Sequence, residues 1–408
     1  MGMSKFEFIE LQKVCDYVND KIPVSSLTVE NYVSTENMLS EKQGITNATN
    51  LPNVKNVSIY NQGDVLLSNI RPYFKKIWFA EHTGGASNDV LILRRNTNYT
   101  SRFLYYVLAN DAFFSYSTKT SKGTKMPRGD KDAIMQYQVP SISQDIQNKI
   151  VASLHPYDNL IENNNRRIAI LEEMAQRLYR EWFVYFRFPG HENVKMVESE
   201  LGLIPEGWEV CTPKGKGQTI TGKTPSTKID ENWGMDVPFV KIPDMHNTAI
   251  VIETESMLSI HGANGQRNKM IPTNSIMVSC IATVGLVCLN AQPCQTNQQI
   301  NSFIPNNGYE TYYFYFILKN CKEQLVNLGS NGATMTNVNK DKFENMKFII
   351  PQNDVVKSFD AIISPIFSEI KRLSRQNVNL RKTRDHLLPR LISGDIDVSD
   401  LPIKIEEE

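Results

Sequence analysis

The 408 residues read as an α/β protein of the α+β kind: two like globular domains in a pseudo-twofold arrangement, separated by a long antiparallel two-helix coiled coil. Three observations carry this reading. A motif in the first half returns in the second, strand-like runs fill the stretch before each late segment, and apolar residues in both late segments recur every seven.

The echo comes first. Gly123-Thr-Lys-Met126-Pro-Arg-Gly-Asp-Lys131-Asp132 reappears as Gly332-Ala-Thr-Met335-Thr-Asn-Val-Asn-Lys340-Asp341, with Gly, Met, Lys and Asp in step. Tyr105-Tyr-Val-Leu-Ala-Asn110 matches Tyr315-Phe-Ile-Leu-Lys-Asn320 at nearly the same offset, as Val139-Pro140 matches Ile350-Pro351. Half a chain is far longer than the roughly 20 to 50 residues of a solenoid unit, so the repeat signals duplicated domains. Two similar domains in one polypeptide suit a target with two similar halves.

Residues 1–143 make the first domain. Val65-Leu-Leu-Ser68, Ile77-Trp-Phe-Ala80 and Val90-Leu-Ile-Leu93 are short β-branched or aromatic runs broken by Gly, Asn and Pro, with a helix expected near Arg102 to Phe114. Residues 144–200 form a central helical region. There Ile150, Tyr157, Asn164, Leu171, Leu178 and Tyr185 fall seven apart, as do Leu154, Ile161, Ile168, Ala175 and Trp182. These are the two seam positions of a coiled coil over about five heptads. Pro156 removes a backbone donor and predicts a kink or a helix restart.

A second strand-and-loop domain spans residues 201–353, and residues 354–408 form a distal helical region and tail. On one line of that region lie Phe359, Ile366, Leu373, Leu380 and Leu387; on the other lie Ile363, Ile370 and Asn377. Each helix of roughly 40 residues reaches about 60 Å at about 1.5 Å per residue. Matching lengths and periods favour pairing with each other over each helix lying on its own domain as an ordinary amphipathic helix. Asn164 and Asn377 occupy seam positions, where a polar residue fixes register or makes a hydrated break.

Composition narrows the function. Hydrophobic residues at 41% and charged residues at 22% belong to a soluble globular chain. No apolar leader opens the sequence and no run of about 18 apolar residues occurs, so the expected location is the cytoplasm, with no membrane partner. The six cysteines include no C-x-x-C pair and read as reduced core thiols. Lys plus Arg equals Asp plus Glu, 44 each, so any nucleic-acid site is local.

Gly217-Gln-Thr-Ile-Thr-Gly222-Lys223-Thr224 satisfies a phosphate-loop pattern, but Pro225 follows directly and no apolar helical period comes after it. It reads as a basic loop. No Asn-Pro-Pro-Tyr tetrapeptide, nuclease-type acidic pair or G-x-S-x-G motif is present, so the chain is expected to be non-catalytic, with no catalytic, cofactor or metal residues. The functional weight falls on the repeated loop. Lys119, Lys122, Lys125, Arg128 and Lys131 recur every three residues, and the second copy carries Thr334, Thr336, Asn337, Asn339, Lys340 and Lys342. Lys and Arg seat phosphates, and long donors reach base edges, so these residues and Lys223 are the DNA-binding candidates. Arg71, Arg94, Arg95, Lys228, Lys241, Arg267 and Lys269 are weaker ones.

Leu171-Glu-Glu-Met-Ala-Gln-Arg-Leu-Tyr-Arg-Glu-Trp182-Phe-Val-Tyr-Phe-Arg-Phe-Pro-Gly190, with Leu201-Gly-Leu-Ile-Pro-Glu-Gly-Trp208, resembles the central region of type I restriction-modification specificity subunits. Leu380-Arg-Lys-Thr-Arg-Asp-His-Leu-Leu-Pro-Arg-Leu-Ile-Ser-Gly394 resembles their distal region, and Gly222-Lys-Thr-Pro-Ser with Val237-Pro-Phe-Val-Lys the opening of their target-recognition domains. The first domain departs from that opening, with Ile22-Pro-Val-Ser-Ser-Leu near its place. The resemblance implies a DNA-specificity subunit that reads a bipartite duplex target through two recognition domains. It implies two methyltransferase subunits as partners, joined by restriction subunits in a system that cuts. S-adenosylmethionine then belongs to the methyltransferase and ATP with magnesium to the restriction subunit, with no cofactor on this chain. The competing readings are a coiled-coil adaptor without DNA readout and a phosphate-loop NTPase.

Overall fold

The computed structural model describes residues 6–329 and 337–402. Two compact units emerge: residues 1–161 with 379–408, and residues 162–378. Both unit boundaries fall inside long helices, Gln144–Tyr179 (the central helix) and Asn353–Ile392 (the distal helix).

In the first unit, strands Val65–Ser68, Ile77–Phe79, Val90–Arg95 and Cys15–Tyr17 form an antiparallel sheet. A second four-stranded sheet holds Lys21–Pro23, Asn56–Tyr60, Gly84–Ala86 and Tyr32–Val33. Helix Ser101–Ala109 buries Phe103, Leu104, Tyr106, Val107 and Leu108 against Val65, Leu67, Leu91 and Leu93. Thr100 caps this helix by accepting from the Phe103 N–H at 3.3 Å. Gln147, fully buried, accepts from the Thr100 N–H at 2.9 Å and donates to the Asn98 and Ile142 carbonyls, fastening the start of the central helix to this domain.

The second unit repeats the plan. Strands Ile276–Ser279, Val287–Asn290 and Ile300–Pro305 stand where Val65–Ser68, Ile77–Phe79 and Val90–Arg95 stand in the first, within a five-stranded sheet. The short pairing of Glu209–Cys211 with Phe348–Ile350 parallels that of Glu7–Glu10 with Gln138–Ser141. Helix Thr311–Asn320 supplies the buried Tyr313, Phe314, Tyr315 and Phe316.

The central helix runs unbroken through Pro156, without the expected restart. Ile150 and Leu154, both fully buried, and Ile161 lie on either side of the proline, and their packing offsets the one hydrogen bond it removes. The helix ends in a π-turn, Arg180–Val184, that turns Trp182 and Phe183 into an aromatic plug. Phe183 stacks edge-on against Tyr313 at 4.6 Å and Phe359 at 4.8 Å.

Within the second unit the two helices run antiparallel, because Asn164 meets Asn377 while the later Arg167 meets the earlier Glu369. Ala175, Trp182, Phe359, Ile363, Ile370 and Leu373 are buried, with Ile168, Leu171, Leu178 and Ile366 partly buried against them. In the first unit the buried line of the distal helix passes through Arg384, Leu388 and Leu391, while Leu380 and Leu387 are only partly covered. A straight helix drifts about 20° per heptad, so the covered face moves off the original line. None of the described helices is long and apolar enough to cross a membrane.

Candidate nucleic-acid interface

In the first domain the lysine-rich loop is a tongue. Lys122 and Arg128 exchange backbone hydrogen bonds at 2.8 and 2.9 Å, and Gly123, at φ +96°, turns the chain between them. The tongue is fastened to the end of strand Val65–Ser68: the Gly129 N–H donates to the Asn69 carbonyl at 3.0 Å, and the Arg71 N–H to the Pro127 carbonyl at 2.7 Å. A β-bridge joins Ile70 to Arg128. Gly129 keeps this approach close, since a Cβ would lie 2.7 Å from the Asn69 side-chain oxygen and displace it.

The tongue's cations differ in freedom. Lys119, Lys122, Lys125, Arg128 and Lys131 are all exposed. Lys122 is ion-paired with Asp130, and Arg128 with Asp89 at 3.1 Å. The Lys122 hydrogen bond, joined by the Ala133 N–H, holds the Asp130 carboxyl below its ordinary range and lifts Lys122 in return. Lys131 lies 5.9 Å from the Tyr17 ring. Asp130 also caps helix Lys131–Met135 by accepting from the Asp132 and Ala133 N–H groups.

The second domain has the same bridge at the matching place. A β-bridge joins Ile281 to Asn337, and the Val338 N–H donates to the Cys280 carbonyl at 2.9 Å. Asn339 caps helix Lys340–Glu344 by accepting from the Lys342 N–H at 2.9 Å, the counterpart of Asp130. Lys342 donates its ammonium to the Leu328 carbonyl at 2.8 Å, and Lys340 reaches Glu344 at 3.6 Å. The Lys-Asp part of the echo thus marks a helix start in both domains. Thr334 and Thr336 lie outside the described residues.

Lys223 belongs to the same neighbourhood. Thr221 donates to Asn301 at 2.7 Å, and Asn301 donates to the Val338 carbonyl beside Asn337 at 3.3 Å. Gly222 lies tight against strand Gln295–Thr296, where a Cβ would meet the Asn297 and Thr296 carbonyls at 2.1 and 2.3 Å. Gly217–Thr221 is itself a strand paired with Ile300–Pro305, and no helix follows Lys223, so the pattern does not form a phosphate-binding turn. Among the described residues no cluster of three or more His, Cys, Asp or Glu is placed to hold a metal.

The weaker cations separate. Arg94 is locked bidentately onto the buried Asp64 at 2.8 and 2.7 Å, so it serves the sheet. Arg71 stands at the strand-end turn that seats the tongue, a turn both domains share: Arg71 and Lys75 are left-handed (φ +51° each), as are Ala282 (φ +64°) and Gly285 (φ +88°). The sequence signal for this shared turn is the parallel between Val65-Leu-Leu-Ser68 and Ile276-Met-Val-Ser279.

The family model described as "Type I restriction modification DNA specificity domain" matches this chain twice, over residues 3–173 and 205–379. The chain belongs to that family. Among its relatives, the HindI specificity subunit of Haemophilus influenzae is 31% identical, the match covering 90% of this chain and 94% of that one. The MjaIX specificity subunit of Methanocaldococcus jannaschii is 26% identical, covering 74% and 70%. The crystal structure of a type I restriction-modification S subunit from M. genitalium shares the fold, with a TM-score of 0.55 at 11% identity, covering 95% of this chain and 96% of that one. This chain is therefore a type I specificity subunit, non-catalytic by itself and part of a methyltransferase and restriction complex.

Proposed function

We propose that each domain of this specificity subunit reads one half of an interrupted duplex site. The observation that carries this is the bridge to the same strand-end turn in both domains, Ile70 with Arg128 in one and Ile281 with Asn337 in the other. The bridging positions agree while the polar residues of the two sequences differ, cationic in the first and amide-rich in the second. That combination suits two different base sequences read with one backbone geometry.

In this reading Lys119, Lys122, Lys125, Arg128 and Lys131 meet the first half-site. Lys223, Thr334, Thr336, Asn337, Asn339, Lys340 and Lys342 meet the second. The chain assembles with the other subunits of its complex and with DNA, and two methyltransferase subunits dock beside the paired helices. S-adenosylmethionine is held by those partners, and ATP with magnesium by a cutting subunit. The helix pair then sets the gap between the half-sites. With zero formal net charge, the isolated chain binds DNA weakly, and its partners supply the remaining phosphate contacts.

Mapping methylated adenines in DNA from cells that carry this chain with its methyltransferase tests the reading. The expected pattern is two short words around a fixed gap. A single unbroken word overturns it.

A further inference from the structure

Tyr73 and Phe74 are 46% and 37% exposed, their rings 4.7 Å apart and tilted by 59°. They sit on a single helical turn, Pro72–Phe74, flanked by the left-handed Arg71 and Lys75. A side chain forced into that region costs on the order of 1 kcal/mol or more at each position, so surrounding contacts must hold it there. They do so from three sides. Lys75 is ion-paired with Glu41 at 3.4 Å and Asp111 at 3.2 Å, Lys76 donates to the Thr35 carbonyl at 2.6 Å, and the Arg71 N–H is held by Pro127 of the tongue.

The fastening leaves a large part of both rings open to water. Burial of such a side chain is worth about 1.5–3 kcal/mol, so a rigid turn that withholds both from the core is arranged for contact with something else. Arg71, partly exposed, borders the pair with its guanidinium 6.0 Å from the Phe74 ring centre. Lys122, Lys125 and Arg128 are exposed on the tongue that this turn carries. An aromatic pair bordered by cations complements a polyanion with stacked rings. The matching turn of the second domain has Ala282, Thr283 and a buried Val284, with no aromatic residue.

We propose that Tyr73 and Phe74 form a wedge that enters one base step of the half-site read by the first domain and unstacks it, while the second half-site stays undistorted. This rests on the reading of the first domain as a DNA reader. Side chains inserted between base steps bend the duplex and unstack the step at a few kcal/mol, repaid by added contact area.

The test uses the assembled methyltransferase complex and its mapped target, with 2-aminopurine placed in turn at each half-site position. The wild-type complex should give a fluorescence rise at one first-half step besides that of the methylated adenine, and no such extra rise in the second half. Tyr73→Ala/Phe74→Ala should remove the extra rise, keep the rise at the methylated adenine and weaken binding roughly tenfold, since stacking is worth about 1–3 kcal/mol per base. Thr283→Ala in the second domain should change neither. Should the double variant lose its thermal transition, Tyr73→Ser alone carries the same expectation. An unchanged fluorescence map and affinity overturn the wedge. So does weakened methyltransferase assembly with an unchanged map in the complex that still forms, which would make the pair a protein-docking surface. Lys125→Ala/Arg128→Ala separates the two levels. If recognition of both half-sites survives that change, the underlying reading fails; if one half-site is lost and the aromatic variants act like wild type, only the wedge fails.

Discussion

The Asn164 side-chain amide donates to the Asn377 side-chain oxygen at 2.9 Å across the helix pair, and the Asn377 amide donates in turn to Asn165 at 2.8 Å. Asn164 and Asn377 are both buried, 4% and 2% exposed, at positions where neighbouring turns carry apolar residues. Sliding one helix by a turn would leave both amides buried without partners. Asn164→Leu therefore leaves the buried Asn377 side-chain oxygen without its donor and should destabilise by about 1–3 kcal/mol, whereas the Asn164→Leu/Asn377→Leu pair should be near neutral. Urea unfolding midpoints of the three proteins check this, and additive losses would show that the amides do not act as a pair.

Arg384 is placed to be the more costly residue to lose. Its guanidinium pairs with Asp158, which also accepts from the Tyr106 hydroxyl at 2.5 Å, and with Asp385 at 2.9 Å. Burial opposes its charge, but Asp158 first, then Tyr105 and Asp385, hold the guanidinium firmly protonated. Arg384→Met leaves the half-buried Asp158 carboxylate without its cation and should cost about 3 kcal/mol. Tyr106→Phe should cost about 1 kcal/mol. Chemical denaturation provides the comparison.

Capping and reading are separable on the tongue of the first domain. Asp130→Ala removes a helix cap and should lower stability by about 1 kcal/mol while leaving the methylated word intact. Lys125→Ala should instead leave stability unchanged and lower the slope of log affinity against log salt by about one. Thermal unfolding and salt titration of the assembled complex distinguish the two classes.

A heptad inserted after Leu171, with a matching heptad beside Ile366, should lengthen the gap in the target without changing either half-site. Seven residues add about 10 Å of helix, which is about three base pairs at about 3.4 Å each. Methylation mapping reads the result directly, and an altered half-site would show that the helices take part in base reading.

The thiols set an alkaline limit. Burial pushes Cys15, Cys288 and Cys294 from an ordinary value of 9.0 up to about 12. The folded state thus keeps protons that the unfolded state releases, so this contribution is complete below pH 9 and is lost as pH rises towards 12. Unfolding midpoints should fall steadily above pH 9, and alkylation at pH 8 should label Cys211, the less covered thiol, well before these three.

Part of the interface is legible in the amino-acid order. The echo of Gly123–Asp132 with Gly332–Asp341 locates the tongue of the first domain and the matching helix start in both, because a duplicated segment retains its cap position. Which polar residue caps and which is free cannot be read there, since Asp130 and Asn339 are the short polar side chains that suit either task. The turn at Arg71 stands out little for a related reason. It matches Ala282 only in backbone conformation, and a left-handed φ leaves no mark when the residues differ.

From the sequence alone come the duplication, the two heptad helices, the α+β class and the family. All of these rest on local patterns: periods of two and seven, turn residues, and a motif repeated within one chain. Tertiary structure decided the rest. It carried the central helix through Pro156 by packing on either side, moved the buried line of the distal helix onto Arg384 and Leu391, and split the cations into locked and exposed ones. These outcomes depend on which distant groups share a small volume, and burial and ion pairing between residues far apart in the chain are not encoded in any single window of it.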